Sequence, residues 1–362
     1  MPSRLDTLAE AARLHDVFVQ AGATDVYADM LQSAETLLDL YGEDIRARAY
    51  VTSDALRGEQ MLRPDFTVPV VQMHMDHGAE PARYTYNGVV FRRQEDDPSR
   101  PNEYIQVGYE VFDRANPAET DAEVFSLINR ALGDVPVRAA TGDIGILTAA
   151  VQGLNTSDRR KAALMRHIWR PKRFRALLDR FAGRLAVPDT RRALLDAVDP
   201  FQFAGPFNGL RSKSEVTERI DALRVDAQTP PLSDAELELL DQILSVKETC
   251  RDAVAHLREL TAGQTLLEQA VDRFSDRVAA LADQGIDVDH LMFEASYGRT
   301  SMEYYDGFVF GFYAEGHDDL PPVATGGRYD ALTRRLGRGA EIPAVGGVIR
   351  PDLMLSLTGG AA

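Results

Sequence analysis

Two carboxylates, Asp65 and Glu110, an amide, Gln106, and two phenols, Tyr305 and Tyr329, lie in four short pieces of the chain. The first piece is Leu62-Arg63-Pro64-Asp65-Phe66-Thr67. The second is Phe91-Arg92, a loop, and then Gln106-Val107-Gly108-Tyr109-Glu110. The third is Glu303-Tyr304-Tyr305-Asp306-Gly307-Phe308-Val309-Phe310. The fourth is Gly326-Gly327-Arg328-Tyr329-Asp330, followed by Pro343-Ala344-Val345-Gly346. Oxygens of these types suit a small zwitterion with an ammonium and a ring N–H, because each donor then finds an acceptor. A buried carboxylate needs partners in any case. Any single piece is therefore also readable as a set of structural hydrogen bonds, and four in sequence point to a ligand.

Other chemistry has weaker support. His74-x-x-His77 could put two imidazoles on one helical face, but no third metal ligand stands in a recognisable motif, so the pair reads as solvated or capping. Neither a G-x-S-x-G elbow nor a Walker-type phosphate loop occurs. Taken alone, Gly326 to Asp330 is a turn before a helix or a ligand loop.

The elements that must position these groups follow from periodicity. Helices are expected over residues 3 to 22 and from Tyr27 to Tyr41, with Gly22 and Gly42 as stops. Ala49 to Thr52 and Gln60 to Arg63 read as short strands, and Thr67 as the cap of a helix through Met75. Arg83 to Arg92 and Glu103 to Phe112 read as two strands of an antiparallel pair joined by a polar loop. Alternation puts Tyr104, Gln106, Gly108 and Glu110 on one face of the return strand, and Ile105, Val107, Tyr109 and Val111 on the apolar other. A helix over Ala122 to Leu132 and a strand over Val135 to Ala140 follow. Strand signals nearly vanish from Gly145 to Asp289, then return at His290 to Glu294, Phe308 to Tyr313 and Val345 to Ile349. This order predicts one α+β domain, residues 1–144 and 290–362, carrying a helical insertion over 145–289.

Composition bounds the function. The chain has 362 residues, 44% hydrophobic and 27% charged, which are ordinary globular values. Lys and Arg number 40 against 56 Asp and Glu, a formal charge of −16 that disfavours non-specific binding of polyanions. Cys250 is the one cysteine, so neither an intrachain disulfide nor a thiolate metal cluster is expected. There is no apolar run of about 18 residues, and Met1 to Glu10 does not look like a secretory signal. No membrane association is expected, and a cytoplasmic location is the default.

The four pieces resemble the catalytic domain of histidyl-tRNA synthetases, a class II fold with an antiparallel sheet flanked by helices. The resemblance covers nearly the whole chain, including the place of the helical insertion. It implies a histidine pocket made of Asp65, Thr67, Arg92, Gln106, Glu110, Tyr304, Tyr305 and Tyr329. The departures bear on activity. Where the synthetases carry an arginine in R-G-x-D-Y-Y, alignment on Tyr304-Tyr305 puts Thr300, with Arg299 one residue off. Where motif 3 ends in an arginine, alignment on Val345-Gly346 puts Leu353, with Arg350 three residues early and Pro351 disturbing the continuation. Adenylyl transfer depends on such cationic clamps. The chain stops at Ala362, where an anticodon-binding domain would follow in a synthetase.

A synthetase-like core with these changes is similar to the ATP phosphoribosyltransferase regulatory subunit family. That resemblance implies a non-catalytic protein without cofactor or metal. It implies partnership with a separate catalytic subunit in the first step of histidine biosynthesis, as a homodimer within a hetero-oligomer. It also implies histidine as feedback effector, with no tRNA partner. A truncated or divergent histidyl-tRNA synthetase is the alternative, for which a basic face and a C-terminal module are expected. An amino-acid-dependent regulator of an unrelated partner would carry further domains.

Overall fold

The structure, a computed structural model, describes residues 2–41, 45–94, 100–299 and 304–359, with backbone alone at Tyr41 and His77. Helix α1 (Arg4–Gln20) starts at Ser3, whose hydroxyl accepts the Asp6 N–H at 3.1 Å. It stops before Gly22, whose φ of +92° is open to glycine. Strand β1 (Thr24–Asp25) follows.

The helix expected from Tyr27 to Tyr41 is in fact split into strand β2 (Leu31–Ser33) and helix α2 (Ala34–Tyr41). Gly42, the expected stop, lies outside the described residues. The split has a cause in hydrogen bonding. The Met30 carbonyl accepts the Arg63 N–H at 2.8 Å, and the Arg63 guanidinium bonds the Ala28 carbonyl. A helix through these residues would need both carbonyls for itself. After α3 (Ile45–Arg48), strands β3 (Val51–Asp54) and β4 (Gly58–Leu62) join β2 in a small sheet of order β2-β4-β3.

Helix α4 (Thr67–His77) leads to the expected pair, β5 (Ala82–Phe91) and β6 (Glu103–Phe112), antiparallel with Tyr84 opposite Glu110 and Gly88 opposite Gln106. Helix α5 (Pro117–Leu132) and strand β7 (Val137–Asp143) complete the first part of the core.

The helical stretch contains α6 (Ile144–Gly153), α7 (Asp158–Arg166), α8 (Pro171–Phe181), α9 (Asp189–Asp196), α10 (Lys213–Gln228) and α11 (Asp234–Ser245). A short strand, β8 (Lys247–Thr249), then precedes α12 (Cys250–Leu260) and α13 (Thr265–Asp283). The last part holds β9 (Met292–Glu294), β10 (Phe308–Ala314), β11 (Ala324–Arg328), α14 (Asp330–Leu336), β12 (Ala344–Ile349) and α15 (Pro351–Thr358).

The large sheet runs β1-β5-β6-β12-β11-β10-β7-β9-β8. The interior from β5 to β7 is antiparallel, while β1 on β5 and β9 on β7 are parallel. Strand β8 pairs with β9, so the helical stretch contributes a strand to the sheet edge. The Gly326-Gly327-Arg328 run is neither turn nor loop but part of β11. A Cβ at Gly326 would stand 2.3 Å from the Phe310 ring, and one at Gly327 would stand 2.8 Å from the Tyr305 ring. Two aromatic rings occupy the space that side chains would fill, so the glycines mark packing, not flexibility.

One face of the sheet is apolar and covered by α5. Phe125 of that helix packs on Phe308, Phe310 and Phe312, with ring centroids 5.1 to 6.2 Å apart. Helix α13 is tied to the same core by buried charge. Arg277 donates to Asp121 of α5 at 3.2 Å and to Asp143 at the end of β7 at 2.5 Å. Arg328 of β11 donates to the other Asp121 oxygen at 2.8 Å and to Asp330 at 3.1 Å. Both arginines and Asp121 are less than a tenth exposed, so each charge depends on its partners. Arg277→Ala leaves Asp143 without its arginine and Asp121 with only Arg328. Urea unfolding should show a loss of about 3–5 kcal/mol, far beyond the loss of less than about 1 kcal/mol expected for the exposed Arg258–Asp272 pair.

Candidate functional site

The second face of the sheet carries the candidate site, and Glu110 is at its centre. Its side chain is 1% exposed. Thr67 Oγ1 and Tyr86 OH donate to Oε1 at 3.0 and 2.8 Å, and Tyr329 OH donates to Oε2 at 2.5 Å. These donors come from α4, β5 and the β11–α14 junction, so one carboxylate ties three parts of the fold together. The carboxylate needs Gly346 beside it on β12, because a Cβ there would stand 1.5 Å from Oε2. Burial pushes the Glu110 pKa up to about 7, against the three hydroxyl hydrogen bonds that lower it, with nearby Asp65 raising it further.

Thr67 does not cap α4 as the sequence suggests. It is the first helical residue after Phe66, which has no side-chain capping bond, and its hydroxyl goes to Glu110. Asp65 Oδ1 instead accepts the Val68 N–H at 3.3 Å. The Phe66 ring stacks on Tyr86 at 4.3 Å, and Arg63 lies 3.9 Å over its other side. Arg92 donates from Nε to the Pro64 carbonyl at 2.8 Å, which links the end of β5 to the Asp65 segment. Tyr304 packs edge-on against Tyr305 at 4.9 Å and Tyr329 at 6.1 Å. Tyr305 is buried, and burial together with Glu110 raises its pKa. Gln106 is 1% exposed, on the Glu110 face of β6, and its Oε1 has no hydrogen-bond partner. A buried amide oxygen in that condition is costly unless a donor arrives.

Three of the residues singled out in the sequence, Thr67, Glu110 and Tyr329, are thus bonded directly. Asp65 and Arg92 act on the same cluster through charge, since both influence Tyr305. Tyr304 and Tyr305 join through ring contacts. Tyr86 was missed. Its signal was present in the strand register, because it stands opposite Gly108, where a Cβ would meet the Tyr86 ring at 2.1 Å. Asp306 was also missed as a site group. It accepts the Asp330 and Ala331 N–H groups at 3.0 and 2.6 Å, and burial with Asp330 nearby pushes its pKa up to about 7.

His74 is neither solvated nor a cap. It is 1% exposed, its Nδ1 lies 3.0 Å from Tyr84 OH, and its ring stacks on Phe112 at 4.0 Å. Val70, Val71 and His74 form one helical face of α4, and all three are buried. The side chain of His77 lies outside the described residues. Among the described residues no group of His, Cys, Asp and Glu could hold a metal ion.

Thr300 and Glu303 lie outside the described residues. Arg299 turns towards the helical stretch, donating from Nε to the Ile168 carbonyl at 2.8 Å with its guanidinium 4.8 Å over Phe174. Arg350 lies 4.9 Å over the Tyr104 ring, and Leu353 packs on the hydrophobic core. Pro351 does not disturb the chain. It opens α15 at a position where its missing N–H costs nothing.

This fold and this face define a class II synthetase-like protein of the histidyl type. The family model for histidyl-tRNA synthetase matches residues 2–227 and 214–353. Solved structures agree in fold. One of them, an ATP phosphoribosyltransferase regulatory subunit/histidyl-tRNA synthetase from Bacillus halodurans, is 20% identical with a TM-score of 0.68, covering 97% of this chain and 79% of that one. A histidyl-tRNA synthetase from a Nostoc species is 17% identical with a TM-score of 0.65, covering 99% and 72%. Curated relatives are more specific. The ATP phosphoribosyltransferase regulatory subunit of Allorhizobium ampelinum is 31% identical over 365 residues, 93% of this chain and 94% of that protein. That of Agrobacterium fabrum is 32% identical over 357 residues, 93% of each. The chain belongs to the family of ATP phosphoribosyltransferase regulatory subunits.

The raised Glu110 pKa has a consequence for stability. The stability it contributes is fully present below the ordinary value of 4.5 and is lost as the pH rises through about 7. Glu110→Gln removes this titration. Wild-type stability minus that of the variant should therefore fall between pH 4.5 and 7, in denaturant melts run across that range. A flat difference would show that Glu110 titrates at its ordinary value.

Proposed function

We propose that this chain is a non-catalytic subunit that partners a separate ATP phosphoribosyltransferase catalytic subunit and makes it sensitive to histidine. The observation that carries this reading is the buried amino-acid-type face. Glu110 is bonded by Tyr329 with Tyr305 beside it, and Gln106 lies further along the same face of β6, while Arg299 and Arg350 are engaged elsewhere. A carboxylate offers about four lone-pair sites. Three on Glu110 are taken, which leaves one for an imidazole N–H. The ligand ammonium would meet Gln106 Oε1 and Asp65, the aromatic rings of Tyr304 and Tyr305 would flank it, and Arg92 would face its carboxylate. The helical stretch over 145–289 is treated as an insertion in the core of 1–144 and 290–362. The working form is a homodimer inside a hetero-oligomer, in the cytoplasm and without tRNA. No helix among the described residues is long and apolar enough to cross a membrane.

By linkage, histidine that binds the inactive state of the complex more tightly shifts the population towards that state, with a typical coupling of ~1–3 kcal/mol. The test mixes purified subunits and follows phosphoribosyl-ATP formation with and without histidine. Activity or inhibition that appears only in the mixture supports the reading. A catalytic subunit equally active and equally inhibited alone refutes it. Histidine-dependent ATP–pyrophosphate exchange should be absent, and robust exchange would favour a synthetase.

The location of histidine has its own test. Gln106→Leu keeps the volume and removes the orphaned acceptor. Calorimetry should show histidine binding weakened about tenfold or more, the scale of one charge-assisted hydrogen bond. An unchanged affinity would put histidine at another site.

A further inference from the structure

The connection between α7 and α8, and Arg299 bonded to it, carry buried polar atoms without partners. Trp169 Nε1, His167 Nδ1 and Arg299 Nη2 are all buried and all without a hydrogen-bond partner. His167 and Trp169 flank Ile168, whose carbonyl accepts the Arg299 Nε–H at 2.8 Å, so Arg299 is tied to this connection. Arg299 as a whole is 5% exposed. An indole N–H and a guanidinium N–H can only donate, so neither satisfies the other, and a neutral His167 Nδ1 could accept from only one of them. Leaving such donors orphaned is expensive, and each buried unpartnered group calls for a partner.

Two further observations give the sign of what is missing. Helix α8 begins at this turn, and Arg170 provides no side-chain cap. Its first turn holds Lys172 and Arg173 and no acid, the wrong charge for the positive end of a helix dipole. The surroundings reinforce this. Residues 159–192 carry twelve Lys and Arg against two Asp, in a chain whose formal charge is −16. The arginines at 170, 173 and 166 add to burial in lowering the His167 pKa. Donors, dipole and local charge all call for an anion.

We propose that the α7–α8 turn, with His167, Trp169 and Arg173, and Arg299 facing it, binds a phosphate-type oxyanion. A tetrahedral phosphate, free or at the end of an ester, presents several acceptors at once, so it could take an indole N–H, a guanidinium N–H and helix N-terminal amides together. The site is distinct from the amino-acid-type face around Glu110 and does not depend on what binds there.

Trp169 is the only tryptophan, so its fluorescence reports on the turn directly. The intact protein is titrated with inorganic phosphate at constant ionic strength, and calorimetry follows the same titration. Saturable binding is expected. Arg299→Gln and Arg173→Gln should each weaken it roughly tenfold or more, the scale of a charge-assisted hydrogen bond. Arg335→Gln, an exposed site on α14, should leave it unchanged. Arg173 is exposed, so its variant decides the matter if the Arg299 variant does not fold. Parallel titrations with AMP and adenosine separate the sources. AMP tighter than phosphate indicates an ester, and phosphate equal to AMP a free anion, with adenosine inert in both cases. Absence of saturable binding, an equal response to chloride, or unchanged binding in the Arg173 variant overturns the proposal.

Discussion

The Glu110 carboxylate is the constraint from which the site follows. A fully buried carboxylate is tolerable only if hydroxyls or cations surround it. Here three hydroxyls do so, and each is delivered by a different element: Thr67 at the start of α4, Tyr86 on β5 and Tyr329 after β11. The requirement runs outward from there. Gly346 must lack a side chain to admit Oε2, Gly108 must lack one to admit the Tyr86 ring, and Gly327 must lack one to admit Tyr305. Glycines that would weaken a strand in isolation are what lets polar and aromatic groups lie flat on this face. The opposite face of the same strands is conventional, with Phe308, Phe310 and Phe312 packed under α5.

A second set of buried charges places that face relative to the helical stretch. Arg328 and Tyr329 are neighbours in sequence but point into different networks. Tyr329 reaches Glu110, while Arg328 reaches Asp121 on α5, and Asp121 is shared with Arg277 of α13. Asp330, the next residue, bonds Arg328 and accepts the Ala344 N–H at 2.9 Å at the start of β12. Three consecutive residues therefore connect the carboxylate cage, helix α13 and strand β12. A displacement of α13 would strain Arg277 and Asp121 first and Arg328 next, one residue from the phenol that caps Glu110. This is a contiguous physical path between the helical stretch and the site, made of charge pairs that cannot be broken singly without leaving a buried ion.

How legible this was in the sequence depends on the range of the interaction. The β5–β6 pair was readable because alternation is a local property, and its face assignment already placed Gln106 and Glu110 together. Helix α5 and strands β10 and β12 were readable for the same reason. The segment from Tyr27 to Tyr41 was not, because apolar residues at helical spacing say nothing about Arg63, which claims the Ala28 and Met30 carbonyls from 33 to 35 residues away. Thr67 looked like a cap because capping is local, yet its hydroxyl is bound to a carboxylate 43 residues on. Tyr86, Arg277 and Asp121 had no local signature at all. Their roles exist only once the register brings them together.

Arg299 carries the comparison with an enzyme furthest. A guanidinium that clamps a reacting carboxylate or phosphate must present its fork to the ligand. In this chain Arg299 commits Nε to the Ile168 carbonyl and its plane to Phe174. Both partners belong to the helical stretch, so Arg299 is tied to the α7–α8 connection and α8 and not to the Glu110 face. The amino-acid-type oxygens and the cation next to them in sequence therefore lie in different environments. A face without that cation lacks one of the clamps that carboxylate activation uses. The Nε and ring-face contacts of Arg299 thus hold this part of the chain against the helical stretch.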